Sequence, residues 1–107
     1  MKRREMVKSH EDFNEIINKG KKKSGKNMII FAIQKDFIKP NFGIAVGKKL
    51  GNAVTRNKYK RIMRHIIDNN KFLFSNFHNY IIMIKKDAIN STFKDLEIEL
   101  IGLMKEE

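Results

Sequence analysis

"NFGIAVGKKLGNAVTRNKYKRIMRHIID", residues 41–68, changes its apolar period partway along. In its first seven positions Phe42, Ile44 and Val46 alternate with Gly43, Ala45 and Gly47, the two-residue rhythm of a strand with one almost bare face. Another backbone or a ligand can come close to a face without side chains. After Asn52, a good helix N-cap, the rhythm becomes helical: Tyr59, Ile62, Met63, Ile66 and Ile67 recur at i, i+3, i+4, i+7 and i+8, predicting a helix to about Asp68. "YIIMI", residues 80–84, follows without alternation, as expected of a strand buried on both faces. Strand, helix and strand between residues 42 and 85 make a crossover unit. Its two strands are expected to run parallel, with "MIIFAIQ" (28–34) antiparallel beside one of them. The fold class is α+β.

The same signals extend to both ends. Ser9 with Asp12 forms a capping box before Phe13, Ile16 and Ile17, and Gly20 offers a stop, so a first helix is predicted over residues 10–19. Thr92 with Asp95 caps a last helix carrying Phe93, Leu96, Leu100, Leu103 and Met104. The predicted order is helix, strand, strand, helix, strand, helix, in one domain spanning residues 1–107. "GKKKSGKN" (20–27) imitates a phosphate-binding loop, but Asn27 stands where Ser or Thr would bind magnesium, and the segment enters a strand instead of opening a helix. A flexible basic loop is expected there.

The net charge of +11 is unevenly placed. Residues 44–65 hold seven Lys or Arg and no acid, whereas residues 87–107 hold two against six acids. Such polarity favours a polyanionic partner on one side of the molecule. A membrane surface is disfavoured, because the apolar face that would insert is committed to the core. Cysteine is absent, no apolar run is long enough to span a bilayer, and "MKRREMVKSHED" lacks the apolar centre of a signal peptide. These features suit the cytoplasm.

On the central helix Arg56, Lys60 and Arg64 form one row and Asn57, Arg61 and His65 a second beside it. Like charges four residues apart oppose an isolated helix by roughly 0.2–0.5 kcal/mol per pair, a penalty that bound phosphates remove. Guanidinium groups suit phosphate through their planar fork of donors. Other chemistry finds less support. His10, His65 and His78 are too dispersed for a zinc site, and Asp36, Asp68 and Asp87 sit singly at element ends. Asp95, Glu97 and Glu99 read as the solvated face of the last helix.

"KKLGNAV.RN..KR..R" over residues 48–64 resembles the signature of the bacterial ribonuclease P protein family. "EDF" at 11–13, Gly20, "MIIFAI", "GIAV" at 43–46, "YIIMIKKDA" and the closing helix extend the resemblance over nearly the whole chain. It implies a two-layer, ribosomal-protein-like α/β sandwich whose strand-helix-strand crossover is left-handed, against the usual rule. It also implies a division of labour. A catalytic RNA subunit holds the magnesium ions and removes the 5′ leader of precursor tRNA, while the protein contributes no catalytic residue and no metal ligand. Carried over by position, Arg56, Asn57, Lys60, Arg61 and Arg64 bind that RNA. Phe13, Ile17, Phe31, Lys48, Lys49 and Lys86 line the cleft for the leader, with Ile17 standing where many members carry a second aromatic. Neither a membrane nor a protein partner is implied. A structural ribosomal protein and a DNA-binding regulator are the rival readings of so basic a chain.

Overall fold

The computed structural model of the protein describes residues 5–7, 9–36 and 38–105. Its elements are helix α1 (His10–Lys19), strands β1 (Lys21–Ser24), β2 (Met28–Gln34) and β3 (Asn41–Val46), helix α2 (Ala53–Asn69), strand β4 (His78–Ile84) and helix α3 (Phe93–Lys105). The caps are those expected: Ser9 Oγ accepts from Asp12 N–H at 3.0 Å, Asn52 Oδ1 from Thr55 N–H at 3.0 Å, and Thr92 with Asp95 exchanges both bonds of a capping box.

The sheet order is β1-β2-β4-β3. β4 lies centrally, antiparallel to β2 and parallel to β3, so the crossover unit and the flanking antiparallel strand take the predicted places. The pleat divides the apolar side chains between two cores. Met28, Ile30, Phe42, Tyr80, Ile82 and Ile84 face α2 and α3, where Tyr59, Met63, Ile66, Ile67, Leu96, Leu100 and Leu103 complete the main core. Phe42, Phe74 and Tyr80 meet ring to ring there, with centroids 4.9–6.0 Å apart. On the opposite face Phe31 and Ile81 pack against Ile16 of α1.

Gly20 ends α1 for a reason other than a left-handed turn, since its φ is −72°. A β-carbon there would stand 2.4 Å from the Ile16 carbonyl oxygen and 2.8 Å from that of Ala32, so only glycine lets helix and sheet meet.

Two expectations need correction. The basic loop over residues 20–27 contains β1, which pairs with β2 through all four of its residues. Lys21, Lys22 and Lys23 carry no apolar alternation, and neighbouring β2 supplies the order that their own pattern lacks. The acids of α3 are not simply a solvated face. Glu99 accepts from Asn27 N–H at 2.9 Å and from Asn27 Nδ2 at 3.1 Å, and Glu97 accepts from the buried Asn70 at 3.0 Å. His78 is half-buried, with Nδ1 2.9 Å from the Asn76 carbonyl and its ring against Tyr80.

Candidate RNA interface

α2 is anchored on one side and open on the other. Tyr59, Met63, Ile66 and Ile67 are buried in the main core, and the Tyr59 hydroxyl accepts from Asn90 N–H at 3.0 Å. This fixes the rotation of the helix, and with it the outward course of the cations. The two rows differ in depth. Arg56, Lys60 and Arg64 run half-buried along the flank of the core, while Asn57, Arg61 and His65 are exposed. Nε of both Arg56 and Arg64 is shielded from solvent and has no acceptor among the described residues. No described acid pairs with Arg56, Lys60, Arg61 or Arg64; the ion pairs of Lys71 with Glu5 and Asp68 lie at the C-terminal end of α2. The face is therefore a half-recessed row of forks behind a projecting one, an arrangement suited to a phosphate backbone.

Lys48 and Lys49 are exposed on the 3-10 turn Lys48–Leu50 that joins β3 to α2, and Leu50 pins that turn into the main core. Their turn packs against a second one, Lys86–Ala88, where Lys86 is also exposed. The cations on these loops thus border the C-terminal ends of the parallel strands.

On the α1 face, strand pairing lines up Lys22, Phe31, Ile81 and Gly43 in one row and Ser24, Ile29, Met83 and Ala45 in the next. α1 crosses the first row. A β-carbon on Gly43 would come within 2.8 Å of Phe13 Cε2, so the bare face of β3 accommodates an aromatic ring of the same chain. Phe31, at 6% exposure, is almost wholly covered, whereas Phe13 and Ile17 stay half-buried. Ile29 and Met83, in the second row, are likewise half-buried against this small core. They share this face of the sheet with Phe31, and their two-residue spacing from Phe31 and Ile81 is the signal for it. Lys85 continues the odd-numbered side of β4 and lies over this face: its Nζ donates to the Gly25 carbonyl at 2.7 Å and to Ser24 Oγ at 3.2 Å.

Among the described residues no three His, Cys, Asp or Glu side chains are grouped to hold a metal ion, and no helix is long and apolar enough to cross a membrane.

Comparison with known proteins agrees with this anatomy. The family described as Ribonuclease P matches residues 1–107. The Ribonuclease P protein component of Bacillus cereus (strain ATCC 10987 / NRS 248) is 31% identical, over 98% of this chain and 92% of that protein. The solved RNase P protein of Staphylococcus aureus superposes with a TM-score of 0.86 at 27% identity, covering 94% of this chain and 93% of that one. For the RNase P protein of Thermotoga maritima the TM-score is 0.84 at 23% identity, with 96% and 98% covered. With its full length matched, and with a close fold in solved members, the chain belongs to the ribonuclease P family.

Proposed function

We propose that this protein subunit docks onto the catalytic RNA of ribonuclease P through α2, and receives the 5′ leader of precursor tRNA on the opposite side of the sheet. The observation that carries the reading is the α2 face: Arg56, Lys60, Arg61 and Arg64 lie on the side of the helix away from its buried stripe, with no acid among the described residues paired to them. Each phosphate they neutralise releases counterions, so binding derives much of its strength from that release and weakens as the salt concentration rises. Asn57 adds a neutral donor and acceptor for sugar or base edges.

The leader, being single-stranded, stacks its bases on apolar and aromatic side chains while lysines follow its phosphates. Phe13 and Ile17 from α1, with the edge of Phe31 and the flanking Ile29 and Met83, form the platform. Lys48, Lys49 and Lys86 supply charge at its border. Hydrolysis of the tRNA belongs to the RNA subunit, which holds the magnesium; the protein offers charge screening and orientation. The complex works in the cytoplasm and requires no further protein.

The test is 5′ maturation of precursor tRNA by the catalytic RNA at low magnesium, where repulsion between the two RNAs is least screened. Adding the protein is expected to restore cleavage, and the protein without RNA is expected to cut nothing. Unchanged cleavage on addition, or cleavage by the protein alone, overturns the reading.

A further inference from the structure

Lys85 is held by an unusual support. Its ammonium bonds to the carbonyl of Gly25 and the hydroxyl of Ser24, both in the hairpin that joins β1 to β2. β1 has little of its own to hold that hairpin in place, with three lysines and a serine at the sheet edge and no apolar side chain. The hairpin closes through Gly25 N–H to the Met28 carbonyl at 2.8 Å, and its last residue, Asn27, is 7% exposed. Asn27 is gripped at both donors by the carboxylate of Glu99, from the middle of α3 and 72 residues away in sequence. The turn lies directly on that carboxylate: a β-carbon on Gly25 would stand 2.6 Å from Glu99 Oε2 and 3.0 Å from Leu103 Cδ1. Asn27 in turn accepts from Lys85 N–H at 2.9 Å, so one residue ties α3, the hairpin and the end of β4 together.

A lysine ammonium has three donors, and two of those on Lys85 are used. The third has no partner among the described residues, and by strand alternation Lys85 shares its face of the sheet with Ile29 and Met83, where the reading above brings the leader backbone. We infer that Glu99 is a positioning residue for leader capture: by clamping the Asn27 turn it fixes Gly25 and Ser24, which pre-order the Lys85 ammonium for one leader phosphate. A lysine left free must freeze its long stem on binding, a cost that the clamp removes beforehand. The inference rests on the leader reading and extends it to two residues outside the cleft lining expected from sequence.

The experiment measures binding of the assembled RNA-protein enzyme to precursor tRNA and to the same tRNA lacking a leader, for the wild type, Glu99→Ala, Glu99→Gln, Lys85→Ala and the Glu99→Ala/Lys85→Ala double variant. Glu99→Ala is expected to weaken precursor binding by roughly twofold to tenfold, the cost of ordering one long side chain, leaving the leaderless tRNA and the cleavage rate at saturation unchanged. Glu99→Gln keeps an oxygen for one of the two Asn27 bonds and is expected to show a smaller loss, a graded result that stands even if the alanine variant folds poorly. The double variant is expected to bind no worse than Lys85→Ala alone. Full precursor affinity in both Glu99 variants, equal losses on the two tRNAs, or additive losses in the double variant overturn the inference while the wild type still prefers the leader. Absence of that preference in the wild type overturns the leader reading and this inference together.

Discussion

Phe13 of α1 rests on Gly43 of β3, so closely that a methyl group added to the glycine would fall 2.8 Å from ring atom Cε2 and 3.2 Å from Ile81 Cγ1. Gly43→Ala therefore pushes the ring off the sheet. The ring sits at the end of a side chain and can swing, so the expected destabilisation stays within about 1–3 kcal/mol, the usual range for overpacking. Loss of leader preference is expected to be the larger effect. Comparing the affinity of leader-bearing and leaderless tRNA for the assembled enzyme checks it, with denaturant unfolding of the same variant as reference.

Two other glycines predict opposite signs. At Gly20 the obstacles to a β-carbon are backbone oxygens of Ile16 and Ala32, which cannot swing aside, so Gly20→Ala is expected to cost at least about 2 kcal/mol and lower Tm by roughly 10 °C. At Gly102, within α3, a β-carbon meets nothing within 4 Å, and Gly102→Ala is expected to stabilise by about 0.5–1 kcal/mol. Thermal melts of the two variants beside the wild type decide both.

Lys71 ties the turn after α2 to the N-terminal segment, bonding to Glu5 with Asp68 nearby at 3.6 Å. The hydrogen bond that Lys71 donates to Glu5 raises its pKa above the ordinary value; burial opposes this less strongly, and the nearby charges of Glu5 and Asp68 add to the rise. A raised lysine pKa means that the folded chain holds the proton more tightly than the unfolded chain. The resulting stability is complete below the unfolded value of about 10.4 and disappears as pH rises through the folded one. The Tm difference between the wild type and Lys71→Met is thus expected to be constant between about pH 7 and pH 9 and to shrink above about pH 10.4. Melts across that range check it.

What was legible in the sequence was what short segments decide for themselves. Ser9, Asn52 and Thr92 cap the three helices because capping is a matter of three residues, and the stripe from Tyr59 to Ile67 orients α2 because 3.6-residue periodicity is local. β1 was illegible for the complementary reason. A run of lysines has no preferred face, and its strand conformation comes from pairing with β2 and from a hairpin clamped by Glu99 across 72 residues. The acids of α3 read as solvated charge because nothing near them in sequence announces Asn27 or Asn70 as partners. In the candidate site, the cations of α2 followed directly from helix geometry. Ile29, Met83 and Lys85 required the strand register, because only pairing shows which residues share a row with Phe31 and Phe13.

The central claim is that the α2 face binds the catalytic RNA by neutralising its phosphates, and the salt dependence of that binding measures it. Dissociation constants of the protein with the RNA subunit, taken over a series of salt concentrations for the wild type, Arg61→Ala and Arg56→Ala/Arg61→Ala, give a slope for each. The account predicts weaker binding and a slope reduced by about 0.7–0.9 for each arginine removed. For Arg61→Ala, an exposed substitution, melting is predicted to stay within about 0.5 kcal/mol of the wild type. Identical constants and slopes in all three proteins contradict the claim.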